Sequence, residues 1–199
     1  MPVPTESYLN EFLYGELVDV VGPENVSASQ SDKIAYSCDY YWIPELWLDR
    51  GLPLPEPDLI VHPRSAEEVA RVCRIAANHK APLTTWGGGS GSQGGALPIH
   101  GGILLDTKKL NRIVEIDKTS LTVTAETGII MQHLEWALER EGLATMHEPA
   151  SISCATLGGF LAHRGTGVLS TKYGKIEDMI MSLEAVLPDA TIINTLAVP

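Results

Sequence analysis

Apolar residues recur along the chain in two patterns, short unbroken runs and steps of three or four, which predict strands and helices in alternation. EPDLIVHP reads as a short buried strand entered and left through prolines. Ser65 then opens a helix, with Glu68 at the third helical position, where a capping box places an acid. Val69, Val72, Cys73 and Ala76 form one apolar stripe at helical spacing, and Asn78 and Pro82 end it. APLTTW, GGILLD and LTVTAETG are further strands. Residues 128–141 give a second amphipathic helix, with Ile130, Leu134 and Leu138 on one side and Gly142 as its stop. The last segment, MIMSLEAVLPDATIINTL, reads as two strands joined by a turn at Pro188-Asp189. The order predicts an α+β or α/β arrangement.

Residues 1–55 differ from the rest. LNEFLYGELVDVVG predicts a surface helix, and YSCDYYWIPELW after it gathers Tyr36, Tyr40, Tyr41, Trp42 and Trp47. Such a segment either wraps over the domain or forms half of an interface, or its rings flank a ligand entrance.

Composition narrows the function classes. With 199 residues, 44% hydrophobic and 20% charged, the chain has the make-up of an ordinary globular protein and can bury a full core. Its formal net charge is -11 and it has no basic run, which argues against a nucleic-acid partner, because phosphates demand clustered Lys and Arg. No stretch approaches the roughly 18 to 20 apolar residues that span a bilayer. MPVPTESYLN lacks the basic and apolar regions of a secretion signal, so a cytoplasmic protein is expected. Cys38, Cys73 and Cys154 are odd in number and far apart, and none sits in a C-x-x-C pair. None of the six histidines stands at i, i+4 from another, so no metal site is expected.

Glycine is unevenly spread, crowding between Gly87 and Gly102 in a window free of Asp, Glu, Lys and Arg. Within it, Gly89-Ser-Gly-Ser-Gln-Gly94 matches G-x-G-x-x-G, a dinucleotide motif that has meaning only when a helix starts at the third glycine. Here GALPIHGG and a strand follow, so a Rossmann fold is rejected. The residue types still suit phosphate, because consecutive glycines let backbone N–H groups converge on an anion, and Ser90 and Ser92 add hydroxyls. The bland alternative is a flexible turn. A second small-residue stretch, Pro149 to Gly159, offers Ser151, Ser153 and Thr156, with Thr156 placed to cap a short helix. The two stretches together would form the walls of one extended cleft.

Taken in order, these pieces resemble the FAD-binding domain of the vanillyl-alcohol oxidase and p-cresol methylhydroxylase type. They are PDLIVHPRSAEEVARVCRIAANHKAPLTTWGGGSGSQGGA, ILLDTKKLNRIVEID, VTAETGI, HEPASISCATLGGF and KYGKIEDMIMSLEAVLPDATII. The resemblance covers roughly residues 57–197 and implies a two-lobed α+β domain. Its expected bounds are an extension over 1–55, lobe one at about 56–116 and lobe two at about 117–199. It implies that Thr85 leads into a loop in which Trp86, Gly87, Gly88, Gly89, Ser90, Gly91 and Ser92 wrap the FAD pyrophosphate. It implies that Ala150, Ser151, Ser153, Cys154 and Thr156, with Gly158 and Gly159, run along the flavin and ribityl chain. His163, Arg164, Gly165 and Thr166 lie where the family again meets the cofactor. Many members tether flavin through a His in or beside the glycine loop. Ser90 and its neighbours offer no such His, so non-covalent FAD is expected, with His62, His100 or a missing segment as other tether points. Arg164 either binds an anion or pairs with a surface acid, and His147 is expected to be structural.

The implied chemistry is hydride transfer from a hydroxy-bearing carbon, with a base removing the hydroxyl proton. No residue of the chain is assigned as that base. The lead-in and PRSAEEV resemble D-lactate and glycolate dehydrogenases, which favours a 2-hydroxy acid. HEPASISCATLGG, LAHRGTG and YGKIEDM resemble alkylglycerone-phosphate synthases, and GSGSQGGALPIHGGILLDTKKLNRIVEID resembles aromatic-alcohol oxidases. Family enzymes continue into a separate substrate domain. The chain, stopping at Ala197-Val198-Pro199, is expected to be a fragment or one subunit of a split enzyme, with homo-oligomers allowed. A non-catalytic FAD-binding or interaction subunit is the reading of a different class.

Overall fold

A computed structural model describes residues 11–195. The secretion-signal reading of the first ten residues and the stop at 197–199 fall outside the described residues. The chain runs through α1 (Glu11–Val21), β1 (Val26–Ser27), α2 (Gln30–Ala35), α3 (Trp42–Asp49), β2 (Leu59–Val61), α4 (Ala66–His79), β3 (Leu83–Trp86) and β4 (Ile103–Asp106). It continues through β5 (Ile113–Asp117), β6 (Thr122–Ala125), α5 (Met131–Arg140), α6 (Leu157–His163), α7 (Ser170–Tyr173), β7 (Glu184–Val186) and β8 (Ile192–Asn194).

The runs LIV and ILLD carry no polar alternation, so both must be covered on two faces, and every residue of β2 and β4 is buried. They sit side by side in a four-stranded sheet of order β1-β2-β4-β3, with β2, β4 and β3 parallel and β1 antiparallel at the edge. α4 covers the sheet through Val72 and Ala76, with Val69 and Ile75 packed against the same core. Cys73 is only half-buried, and that burial raises its thiol pKa. Ser65 caps α4 by accepting from the Glu68 N–H at 3.2 Å. The Glu68 carboxylate reaches one residue further back than a capping box requires and accepts from the Arg64 N–H at 2.7 Å.

α1 corrects the surface-helix expectation. Leu13, Leu17 and Val21 stand four residues apart, all are buried, and they share one core with β2, β4 and α4. Burial of each such leucine contributes about 1.5–3 kcal/mol. Residues 11–27 therefore supply both a strand and a core helix to the first sheet.

The second core gathers Ile129, Met131, Leu134, Leu138, Ala155, Phe160 and Ile176. α5 supplies three of these from one face, starting at Met131 with Ile130 as its N-cap rather than inside it. β5 and β6 pair as an antiparallel hairpin whose apolar side closes this core. β5 was not among the strands expected from the pattern. β7 and β8 pair in register Glu184↔Asn194, so the first of the two terminal strands begins at Glu184 and not at Met179. This hairpin packs on α4, while Ile192 and Ile193 remain exposed.

The lobes meet tightly at Gly128. Its N–H donates to the Leu110 carbonyl at 2.7 Å, and a Cβ there would stand 1.8 Å from the Thr107 oxygen. Among the described residues no helix is long and apolar enough to cross a membrane, and no group of side chains could hold a metal ion.

Candidate cofactor site

β3 and β4 are adjacent and parallel, yet residues 87–102 join them without a helix. A parallel pair needs a connection that returns the full strand length, usually a helix. Here the glycine-rich segment makes the return, so it is forced across the end of the sheet. No helix begins at Gly94, which agrees with rejecting the dinucleotide motif.

The start of this loop is held by its carbonyls. Thr107 donates to the Trp86 carbonyl through its N–H at 2.9 Å and its hydroxyl at 3.0 Å. The Lys108 ammonium reaches the Gly87 carbonyl at 3.4 Å, and the Tyr40 N–H donates to the Gly89 carbonyl at 2.8 Å. Among the described residues, the N–H groups of residues 87–92 donate to no protein acceptor. Oxygens tied back and N–H groups left open make a surface suited to an anion without any cationic side chain in the loop.

The second small-residue stretch closes on the first. A Cβ on Gly87 would stand 2.3 Å from the Thr156 hydroxyl oxygen, and one on Gly88 would stand 2.0 Å from the Cys154 carbonyl. Only glycine permits this approach. Thr156 caps α6, accepting from the Gly159 N–H at 3.3 Å, as the sequence suggested. Ala150, Ser151, Ser153 and Cys154 form the turn before it, where the Ser151 carbonyl accepts from the Cys154 and Ala155 N–H groups. Ser153 and Cys154 are exposed, and Gly158 lies against Thr127. Thr85, on the strand before the loop, faces solvent, as do Gly91 and Ser92.

His163 to Thr166 stand apart from this junction, at the other end of α6, about 10 Å along its axis. Arg164 takes a left-handed conformation at the helix end (φ 56°) and pairs with Glu177 at 3.1 Å. The Arg164 side chain is 71% exposed, and Glu177, its partner, is 27% exposed. Gly165 packs on the Phe160 ring, and His163 and Thr166 are exposed.

A charge network that the sequence did not mark lies beneath the glycine loop. Asp106, the last residue of β4, is fully buried. It accepts from the Tyr36 hydroxyl and the Lys108 N–H, and it pairs with the Lys108 ammonium at 2.7 Å. Tyr36 packs edge-on against Trp86 with ring centroids 5.1 Å apart. Burial, then the Asp106 hydrogen bond, raises the Tyr36 hydroxyl pKa. Burial lowers the His62 pKa against the opposing pull of Asp106. The available signal was an acid ending an otherwise apolar strand, one residue short of two lysines. The aromatic segment is thus built into the loop's foundation, with the Tyr41 ring against Gly94 as well.

Residues 57–196 match the family model described as an FAD binding domain. The chain belongs to this family. Its sequence is 33% identical over 182 residues to the glycolate oxidase subunit GlcD of Bacillus subtilis, covering 90% of this chain and 36% of that protein. A solved alkyldihydroxyacetonephosphate synthase superposes with a TM-score of 0.84 at 29% identity, covering 94% of this chain and 35% of that one. p-Cresol methylhydroxylase with substrate bound superposes with a TM-score of 0.81 at 22% identity over 98% of this chain and 37% of that one, which shows the shared fold. The domain therefore has the α+β fold of the p-cresol methylhydroxylase type, and FAD is its cofactor. It spans about a third of the length of these relatives. The open N–H groups of residues 87–92 and the close glycine junction fit a ligand with a pyrophosphate and an extended body.

Proposed function

We propose that this FAD-binding domain is the cofactor-holding part of an oxidoreductase that oxidises a small 2-hydroxy acid, and that it holds FAD without a covalent bond. The observation that carries the reading is the start of the glycine loop, where the N–H groups of residues 87–92 have no acceptor among the described residues while Lys108, Tyr40 and Thr107 restrain the carbonyls of Gly87, Gly89 and Trp86. Residues 87–92 are assigned to the pyrophosphate, and residues 150–159 to the ribityl chain and flavin. His163 to Thr166 are assigned to a further cofactor contact at the end of α6. FAD supplies the two-electron redox chemistry when bound. The protein's part is to neutralise the phosphates with backbone dipoles, to exclude water along the junction and to orient the isoalloxazine. Likeness to a glycolate oxidase subunit supports the substrate class. A second segment or subunit supplies the substrate pocket and the base that takes the hydroxyl proton. A cytoplasmic setting fits three free cysteines.

The test is spectroscopic. The purified chain is expected to bind FAD and to release it to the supernatant on acid precipitation; flavin retained in the pellet overturns the non-covalent assignment. With the substrate-side segment present, anaerobic glycolate or D-lactate is expected to bleach the flavin band. A band left unchanged by both acids but responsive to an acyl-dihydroxyacetone phosphate would favour transferase chemistry, the reading supported by the TM-score of 0.84 to the synthase.

A further inference from the structure

We propose that Tyr36, Asp106 and Lys108 are positioning residues that hold the glycine loop in its cofactor-accepting shape, with buried Asp106 fixing the Lys108 ammonium at the Gly87 carbonyl. This inference rests on the assignment of residues 87–92 to the FAD pyrophosphate.

A run of three glycines has more backbone freedom to lose than any other tripeptide. A loop that must present several N–H groups to one anion binds tightly only if something other than the anion meets part of that ordering cost. The stretch 87–92 cannot restrain itself, because it has no charged side chain and its N–H groups bond nothing among the described residues. The restraint comes from below. Asp106 ends β4 opposite Trp86, the last residue of β3, so its carboxylate is fixed where the loop departs. It is fully buried and receives three donors: the Tyr36 hydroxyl, the Lys108 N–H and the Lys108 ammonium.

A buried carboxylate orders its partners strongly, since leaving it unpaired is costly. The Lys108 side chain is accordingly pinned between Asp106 at 2.7 Å and the Gly87 carbonyl at 3.4 Å, and its ammonium lies over the Tyr36 ring at 5.3 Å from the centroid. Tyr36 holds the other side of Asp106 and braces Trp86 edge-on. Two residues beyond Cys38, the same N-terminal segment ties Gly89 through the Tyr40 N–H. The first and third glycines are thereby held by their oxygens, which turns the open N–H groups to the ligand side. The arrangement also places one positive charge beside a loop that otherwise has none.

The experiment measures FAD dissociation constants by quenching of flavin fluorescence, alongside the melting temperature of the stripped protein. The variants are Tyr36→Phe, Lys108→Met, Lys108→Arg, Gly88→Ala and the double variant Asp106→Asn with Lys108→Met. The double variant leaves no buried carboxylate unpaired and covers the case in which Lys108→Met does not fold. Lys108→Met or the double variant is expected to weaken FAD about tenfold and Tyr36→Phe about threefold, in line with one lost anchoring interaction each. Lys108→Arg is expected to restore affinity to within about threefold of the parent, because it keeps a cation on Asp106. Unchanged affinity in the double variant overturns the proposal. So does a loss of affinity that follows the melting temperature and is not rescued by Lys108→Arg, because that is what a purely structural pair would give. Gly88→Ala separates the two levels: if it abolishes binding while the double variant does not, the loop assignment stands and the positioning role falls. If Gly88→Ala binds as the parent does, the loop assignment itself fails.

Discussion

At Gly88 the absence of one carbon decides whether two loops can touch. A methyl group there would meet the Cys154 carbonyl at 2.0 Å, and backbone cannot swing aside as a flexible side chain can. Overpacking of this kind costs about 1–3 kcal/mol, which is about five- to 150-fold when it falls on ligand affinity. Gly88→Ala is expected to weaken FAD by that factor in a fluorescence titration, while Gly95→Ala, beyond the stretch assigned to the pyrophosphate and with open space around it, is expected to change it little. His147 makes a different kind of residue-scale statement. It is buried, its ring meets Phe160 edge-on at 5.4 Å, and neither ring nitrogen has a partner among the described residues. Burial lowers its pKa from the ordinary 6.5, so the folded protein holds it neutral. The unfolded chain then binds more protons than the folded one just below that value, and stability falls as pH drops through it. His62 has the same sign. Melting temperatures between pH 7.5 and 5.5 are expected to decline, and His147→Phe is expected to flatten the decline. An equal slope in both proteins would show that the ring finds a proton acceptor. The structural role expected of His147 from sequence agrees with its packing on Phe160.

At the scale of elements, apolar runs and helical stripes were legible wherever burial was one-sided or complete. LIV, ILLD, the α4 stripe and the face of α5 were all found, because their pattern comes directly from what they cover. β5 was missed because IVEID is only half-covered and carries two acids, so neither alternation nor an apolar run stands out. α1 was misplaced for the opposite reason. The helix was legible, but sequence cannot say that the surface awaiting it is a sheet whose strands run on to Asp106. Leu17→Ala should reveal this. Truncating a fully buried leucine costs about 2–5 kcal/mol, so urea denaturation is expected to shift to markedly lower midpoint. A change below about 0.5 kcal/mol, the range of ordinary surface substitutions, would put α1 back on the outside.

On the scale of the whole molecule, the ordered motifs pointed to the family and the fold, and the family match and the superpositions support both. What they could not supply was the partnership between Tyr36 and Asp106, seventy residues apart. A hydrogen bond at that separation leaves no spacing to read. The meeting of Gly87 and Gly88 with residues 154–156 is non-local in the same way, and it brings the cluster of Ile60, Trp86 and Leu104, on the first sheet, up to the core that holds Ala155. That junction has a consequence in time. Each core is built from its own stretch of chain, residues 13–105 for the first and 113–176 for the second, and can condense by itself, whereas the groove exists only after the two have docked. Cofactor uptake then reports the last step of assembly. In a refolding experiment with FAD present, far-ultraviolet ellipticity is expected to recover before flavin fluorescence is quenched. The lag should lengthen in Gly128→Ala, where an added Cβ would press on the Thr107 carbonyl between the lobes. Coincident phases would mean that the lobes fold as one unit. With a measurable lag, a nascent chain acquires its redox group only as a finished domain, so the flavin serves as the mark of completed folding.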